Sequence, residues 1–374
     1  MPITNPPIKT VMHNLELNHI SLIQFKNYSS SEFIFEQPVI AITGKNGVGK
    51  TNLLDAIYYL CFTKSYFGTS DQAQVKTGMQ GFRVAGKLST DQVGYDVDII
   101  LRENGKKEIS CSGALYEKFS AHIGKFPAVM IAPDDIELIN GSSEIRRRFL
   151  DTILCQTDSD YLQTLIRYNK ILQQRNSYLK QAYLLKKRDG ALLDTIDEQL
   201  TAEGTVIFQK RKDFAPLFRQ HILNYYKEVA GVPETADFRY ESLLEQQPLA
   251  ELLSQAREKD YLLQRTQFGI HRDNLELDLE GQPFKNRGSQ GQKKSLLFAL
   301  KLAEATTLAE KKGFSPILLL DDVFEKLDAV RMENLINHIC HQMNAQIFLT
   351  DTHPERIDTL FKNMGKQVQH ILLS

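Results

Sequence analysis

Eight consecutive residues, Gly44-Lys45-Asn46-Gly47-Val48-Gly49-Lys50-Thr51, fit the pattern G-x-x-x-x-G-K-[ST], a spacing suited to holding phosphate. Residues 38–43, just before it, form a short apolar run rich in β-branched side chains. Residues 51–62, just after it, carry helical periodicity, with Leu53, Leu54, Ile57, Leu60 and Cys61 on one face. Strand, glycine-rich loop and helix is the context the pattern needs. Glycines let the backbone curl until its N–H groups point at a phosphate, and the helix N-terminus adds a fixed positive potential. Lys50 is then expected to reach the β- and γ-phosphates, and the Thr51 hydroxyl to bind Mg²⁺. ATP and Mg²⁺ are the expected ligands.

Two further segments carry chemistry of the same kind. Pro316-Ile317-Leu318-Leu319-Leu320-Asp321-Asp322 reads as a strand buried on both faces that ends in two carboxylates. Open α/β sheets bind ligands at the carboxyl ends of their strands. Asp321 is therefore expected to hold Mg²⁺, directly or through water, and Asp322 to orient or deprotonate the attacking water. Capping of the next turn is the plainer use of such a pair, and the phosphate loop makes it the lesser one. Before this strand, Ser289-Gln290-Gly291-Gln292-Lys293-Lys294 opens a long helical pattern. Ser289 is a good N-cap, Gly291 permits close approach of another backbone, and no acid occupies the first turn. Beside the two nucleotide elements, it reads as a second phosphate-sensing surface.

The elements that must position these groups follow from periodicity. Strands are expected at 15–25, 31–35, 38–43, 95–101 and 129–132, then again at 275–279, 316–320, 346–350 and 368–372. Helices at 290–311, 329–343 and 354–363 alternate with the later strands, which predicts a parallel sheet covered by helices. Residues 143–265 read as helical and heavily charged. One helix there is expected to face inward through Leu162, Leu165, Ile166, Asn169 and Leu172. A second, over 192–229, folds back on it across a turn at 186–190, with Pro216 expected to kink or break it. The expected organisation is an α/β head over 14–133 and 266–374, an inserted all-α domain over 134–265, and a tail over 1–13.

Composition narrows the class. The chain has 374 residues, 42% hydrophobic and 24% charged, ordinary for a soluble globular protein of two domains. No apolar run approaches the roughly 20 residues that cross a bilayer. Its four cysteines show no metal or redox spacing, which fits a reducing cytoplasm. A net charge of −1 gives no bulk attraction for nucleic acid, so any DNA surface must be local. Arg146-Arg147-Arg148 and Lys186-Lys187-Arg188 are candidates, each equally readable as structural or solvated. Tyr58-Tyr59 and Tyr225-Tyr226 lie in helical patterns and read as core rather than as base-stacking platforms.

On these motifs the chain resembles the ABC-type ATPase superfamily in its DNA-repair branch. The resemblance implies a P-loop NTPase head with a mixed, largely parallel sheet. It makes Ser289-Gln290-Gly291-Gln292 the signature that caps the γ-phosphate on another subunit, Glu325-Lys326-Leu327-Asp328 the loop crossing the dimer interface, and His353, after Thr350-Asp351-Thr352, the switch residue. Further motifs are similar to the RecF family of bacterial recombination mediators: Lys64-Ser65-Tyr66, Pro133-Asp134-Asp135-Ile136, Arg146-Arg147, Leu150-Asp151 and Gly269-Ile270-His271-Arg272-Asp273, in that order. The chain departs from that family at Phe67 and Lys26, where Arg is frequent, and at Lys293-Lys294. Membership implies a weak, cytoplasmic ATPase of DNA replication and repair. It would dimerise on ATP, bind duplex, gapped or junction DNA, with single strands also open, and load RecA with RecO and RecR. An ATPase subunit of a membrane transporter and a structural head with negligible turnover share part of the pattern. The insert before the signature and the Ser-Gln-Gly-Gln form disfavour the first; measured turnover separates the second.

Overall fold

The computed structural model describes residues 13–374 apart from 69, 92, 232–233, 324–328 and 340–342. The expected interface loop at 325–328, Cys340 and all but the last residue of the expected tail lie outside the described residues.

Two sheets enclose the helix that follows the phosphate loop. The first is largely antiparallel, and β1 (His13–Ile23) is its longest strand. Its order is β12 (Phe314–Ser315), β1, β4 (Phe82–Thr90), β5 (Val93–Leu101), β6 (Lys107–Cys111) and β7 (Ala114–Leu115), and β2 (Ser30–Ile34) also pairs with β1. Only the β1–β12 pairing is parallel. The second sheet is wholly parallel. It runs β15 (Val368–Leu372), β3 (Val39–Thr43), β14 (Ile347–Asp351), β13 (Ile317–Leu320) and β8 (Ala128–Ile131). The parallel half is the one the helix–strand alternation predicts; the antiparallel half is larger than the expected strands at 15–25, 31–35 and 95–101 suggested.

Burial on both faces explains the apolar strands of the parallel sheet. Ile40, Ile42 and Leu319 point into a core shared with the antiparallel sheet, while Val39, Ala41, Leu318 and Leu320 point into the opposite one. The first core is filled by α1 (Lys50–Phe62), eleven of whose thirteen residues are buried. The second is covered by α8 (Gln290–Lys312), α9 (Ala329–His338) and α10 (Pro354–Asn363), through Phe298, Met332 and Phe361 among others.

Between the two halves of the head the chain builds a helical arm. After the short α2 (Glu137–Asn140) come α3 (Ser143–Thr157), α4 (Ser159–Leu185), the 41-residue α5 (Gly190–Ala230) and α6 (Leu249–Leu263). Pro216 sits inside α5 without ending it. The arm is not purely helical. β9 (Ala236–Glu241) pairs with β10 (Asn274–Leu279), which also pairs with β11 (Gln282–Pro283) before the short α7 (Phe284–Arg287). Buried Ala236 and Phe238 alternate with polar neighbours there, the period of a strand. The core of the arm also takes in Ile270, Leu275, Leu277 and Phe284, which lie beyond the expected boundary at 265.

The face of α4 is the expected one only in part: Leu165 and Leu172 pack against the core of the arm. Tyr161, Thr164, Tyr168, Arg175, Leu179 and Ala182 are buried, whereas Ile166 and Asn169 are exposed. The inward face carries polar atoms that find partners inside. Arg175, fully buried, is 2.6 Å from Asp197 and 2.6 Å from Asp260. Arg211 of α5 likewise pairs with Asp151 at 2.8 Å and Asp273 at 2.9 Å, and donates to the Ile270 carbonyl.

Candidate nucleotide site

Strand β3 ends at Thr43, and the loop from Gly44 to Gly49 turns back into α1. Gly44, Gly47 and Gly49 all have positive φ, at 147°, 85° and 114°. Side chains are excluded at two of them for a second reason. A Cβ on Gly44 would sit 2.4 Å from the Leu373 carbonyl oxygen, and one on Gly49 would sit 2.5 Å from Asn27 Nδ2. Gly47 is open on its outer side.

The residues before β2 clamp this loop. Asn27 Nδ2 donates to the Val48 carbonyl at 3.0 Å, and Tyr28 donates its hydroxyl to the Gly49 carbonyl at 3.0 Å. Lys26 forms a 2.5 Å ion pair with the fully buried Asp55 of α1, which also accepts from Ser65 Oγ and the Tyr66 amide. The ammonium group of Lys50 lies folded over the loop, donating to the carbonyls of Gly44 at 2.9 Å and Lys45 at 3.1 Å. It is 6% exposed.

The parallel sheet brings the acids to the same edge. β13 and β3 are separated only by β14, so Asp321, Thr350 and the phosphate loop stand side by side. Thr51 donates its hydroxyl to Asp321, 3.0 Å from each carboxylate oxygen, and Thr350 donates to Asp321 Oδ1 at 2.8 Å. Thr350 Oγ1 in turn accepts from the Asp322 amide at 2.9 Å, where the backbone takes a φ of 46°. Burial pushes the Asp321 carboxyl up from the usual carboxylate range. The neighbouring Asp322 adds to this, and the hydroxyls of Thr350 and Thr51, with Lys50, oppose it. Two hydroxyls on a buried carboxylate beside a glycine cradle and an ammonium group form an oxygen-rich donor set that fits Mg²⁺ on a polyphosphate.

Other expected residues fall elsewhere. Ser289 caps α8 by accepting from the Gln292 amide at 3.2 Å, and the Gln292 side chain accepts from the Ser289 amide at 2.7 Å and donates to Glu234. Ser289 and Gln290 are exposed, and these bonds do not reach Gly44–Thr51. Gln290 does share a small cavity with Asp321 and Val323. His353 is the exposed N-cap of α10; its amide donates to the buried Asp351 at 2.8 Å, and its Nδ1 lies 2.9 Å from Thr352 Oγ1.

Several of the remaining motif residues are structural. Arg146 donates to the Gly141 carbonyl and Asn274, and Arg147 to the Asp273 carbonyl, so both tie α3 to the start of β10. Only Arg148 is exposed, paired to Glu144. His271 lies against Tyr168, 2.8 Å from its hydroxyl, and burial pulls its imidazole down to about 4. Tyr58, Tyr59 and Tyr226 are core residues and Tyr225 is half-buried. Tyr66 hydrogen-bonds to Asp135, joining two motifs beside the buried Lys301. Lys26, Asn27, Tyr28 and Thr350 support the site, yet no role in it is expected from their spacing; Lys26 and Thr350 enter the sequence reading only through the family resemblance.

The comparisons agree with this geometry. A family model described as the RecF/RecN/SMC N terminal domain matches residues 16–371. The DNA replication and repair protein RecF of Flavobacterium johnsoniae is 40% identical over 353 residues, covering 93% of this chain and 97% of its own length. Its namesake from Cytophaga hutchinsonii is 38% identical over 361 residues, covering 96% and 94%. A solved structure of the recombination mediator protein RecF with ATP superposes with a TM-score of 0.84 at 29% identity, over 91% of this chain and 92% of that one. An Smc head domain of Pyrococcus furiosus shares the fold, with a TM-score of 0.53 at 15% identity over 96% and 94% of the two chains. A clamped glycine cradle, an acid at the neighbouring strand end and this similarity along nearly the whole chain together place the protein in the RecF family.

Proposed function

We propose that this chain is an ATP-dependent DNA-binding recombination mediator whose nucleotide site is completed by a second copy of itself. The observation that carries the reading is the meeting of Thr51 with Asp321, 3.0 Å apart across a sequence separation of 270, beside the Lys50 ammonium. Residues 14–133 and 266–374 act as the ATPase head and 134–265 as the arm, with Ile270, Leu275, Leu277 and Phe284 from beyond that boundary packed into the arm's core.

Gly44, Lys45, Asn46, Gly47, Val48, Gly49 and Lys50 hold the triphosphate through backbone N–H groups and one ammonium group. Thr51 and Asp321 hold Mg²⁺, which when bound neutralises phosphate charge. Asp322 orients the attacking water and takes its proton. Ser289 and Gln290, exposed, with Gly291 and Gln292, half-buried, stand at a helix N-terminus with no acid in its first turn and cap the γ-phosphate of the other copy. His353, at the next strand end, contacts the same phosphate. A single chain thus binds ATP and turns it over slowly. Release of the γ-phosphate removes the contact that joins the two heads. The substrate DNA is duplex with gaps or junctions, and the protein partners are RecO and RecR, acting on RecA. This part rests on family membership, which also leaves the transporter reading without support.

Turnover per chain, measured against protein concentration with gapped duplex DNA, tests the proposal. It should rise with concentration and with DNA. A rate per chain independent of concentration contradicts the shared site. No hydrolysis at any concentration favours a purely structural head.

A further inference from the structure

The far end of the arm, where α4, α5 and α6 meet, carries several exposed large apolar side chains. Leu184 and Leu185, the last residues of α4, are each 74% exposed, and Leu262 of α6 is 68% exposed. Tyr183, Leu192 and Leu263 are about half exposed beside them. Single exposed leucines are ordinary; six large apolar side chains at one end of a helical hairpin are not.

This end is also held rigid. Leu179, Ala182, Leu193 and Tyr261 form a small core of their own beneath it. Tyr178 donates its hydroxyl to the Asp189 carbonyl at 2.7 Å and accepts from the Asp189 amide at 2.6 Å, fixing the turn between α4 and α5. Arg188 lies 4.2 Å from the Tyr261 ring centre and pairs with Glu258 at 2.7 Å, tying the turn to α6. The leucines are therefore displayed on a fixed frame.

The charge around them has one sign left over. The acids are engaged: Glu258 with Arg188, Asp194 with Arg257, and Asp189 as the cap of α5. Lys186, Lys187 and Lys259 are exposed and make no ion pair among the described residues.

We propose that the end of the arm is a docking surface for a protein partner that presents apolar side chains flanked by carboxylates. DNA fits poorly, because leucine pressed on phosphate strips water from both and supplies no donor. A second copy of the same end would bring lysines against lysines. An anionic bilayer shares the charge, but the apolar residues come from the ends of three helices rather than from one continuous helical face, and Tyr183 is the only aromatic ring in the patch.

The test uses the full chain and a fluorescent synthetic peptide with Leu at i, i+3, i+4 and i+7 of a helix and Glu elsewhere. Binding is followed by anisotropy. A variant carrying Leu184→Ser, Leu185→Ser and Leu262→Ser should bind the peptide at least tenfold more weakly, with its melting temperature and ATP affinity unchanged. Lys186→Glu with Lys187→Glu should do the same, and a peptide with Lys in place of Glu should not bind the native chain. Gapped duplex DNA, phosphatidylglycerol vesicles and self-association should be unaffected by the serine variant. The proposal is overturned if the native chain does not bind the acidic peptide, if both chains bind it alike, or if the serine variant instead loses DNA, vesicles or self-association.

Discussion

Thr350 is the side chain on which both candidate acids depend, and replacing it by valine isolates that dependence. It is fully buried and has the shape of valine, so Thr350→Val opens no cavity. The variant removes a hydroxyl donor 2.8 Å from Asp321 Oδ1 and an acceptor 2.9 Å from the Asp322 amide. A hydrogen bond to a charged group contributes about 1.5–3 kcal/mol, and a buried donor left without a partner costs about 1–3 kcal/mol. Together the loss should be about 2.5–6 kcal/mol, a large share of the roughly 5–15 kcal/mol that holds a domain folded. The carboxyl of Asp321, already raised by burial, loses one of the bonds that opposes the rise. Mg²⁺ should then bind about 10- to 100-fold more weakly near neutral pH, as for other second-layer partners of a metal ligand. Nucleotide affinity without Mg²⁺, set by the loop and Lys50, should change little. Thr350→Ser should recover most of the loss. Titration of Mg²⁺ against a fluorescent nucleotide, with a thermal melt of each variant, reads both effects. Mg²⁺ affinity and melting temperature within error of the native chain would refute the reasoning.

Other substitutions separate the parts of the molecule. Lys50→Met should abolish nucleotide binding while the far-ultraviolet circular dichroism stays native, since the lost bonds run only to the loop carbonyls of Gly44 and Lys45. Arg211→Met should leave Asp151 and Asp273 as unpaired carboxylates and lower the stability of the arm by about 3–5 kcal/mol, read as an earlier urea transition, with ATP binding kept. Acid should weaken the head through His122, which is fully buried against the Leu60 carbonyl with its imidazole pulled down to about 4 by burial. A depressed histidine favours the fold fully above its unfolded pKa of about 6.5, and that contribution is lost as pH falls towards 4. Melting temperature should therefore drop between those values, and less so in His122→Gln.

Local patterns, and through them the meeting of Thr51 with Asp321, were legible in the sequence; contacts made by single side chains across the fold were not. The phosphate loop is read from eight neighbouring residues, and the acid strand from an apolar run, because each is a backbone device with its own composition. Tyr28 and Thr350 meet these elements only through tertiary packing, and no spacing announces them. The inward face of α4 is hidden because its buried positions carry Tyr161, Tyr168 and Arg175, whose polar atoms are met by partners far along the chain. β9 is hidden inside a stretch dominated by helices, since a six-residue alternation is weak beside a 41-residue helix. The antiparallel sheet is partly visible: Phe82, Val84 and Leu88 alternate with Arg83 and Lys87, but Gly86 interrupts the pattern where a Cβ would strike Leu60.

Above all, the cradle around Lys50 is proposed to be half a site. Sedimentation velocity of Asp322→Asn with ATP and Mg²⁺ measures it directly, beside the same protein without nucleotide and beside Lys50→Met with it. The account predicts a dimer in the first sample and monomers in the other two. A monomer in all three, with ATP shown to be bound to Asp322→Asn, would contradict it.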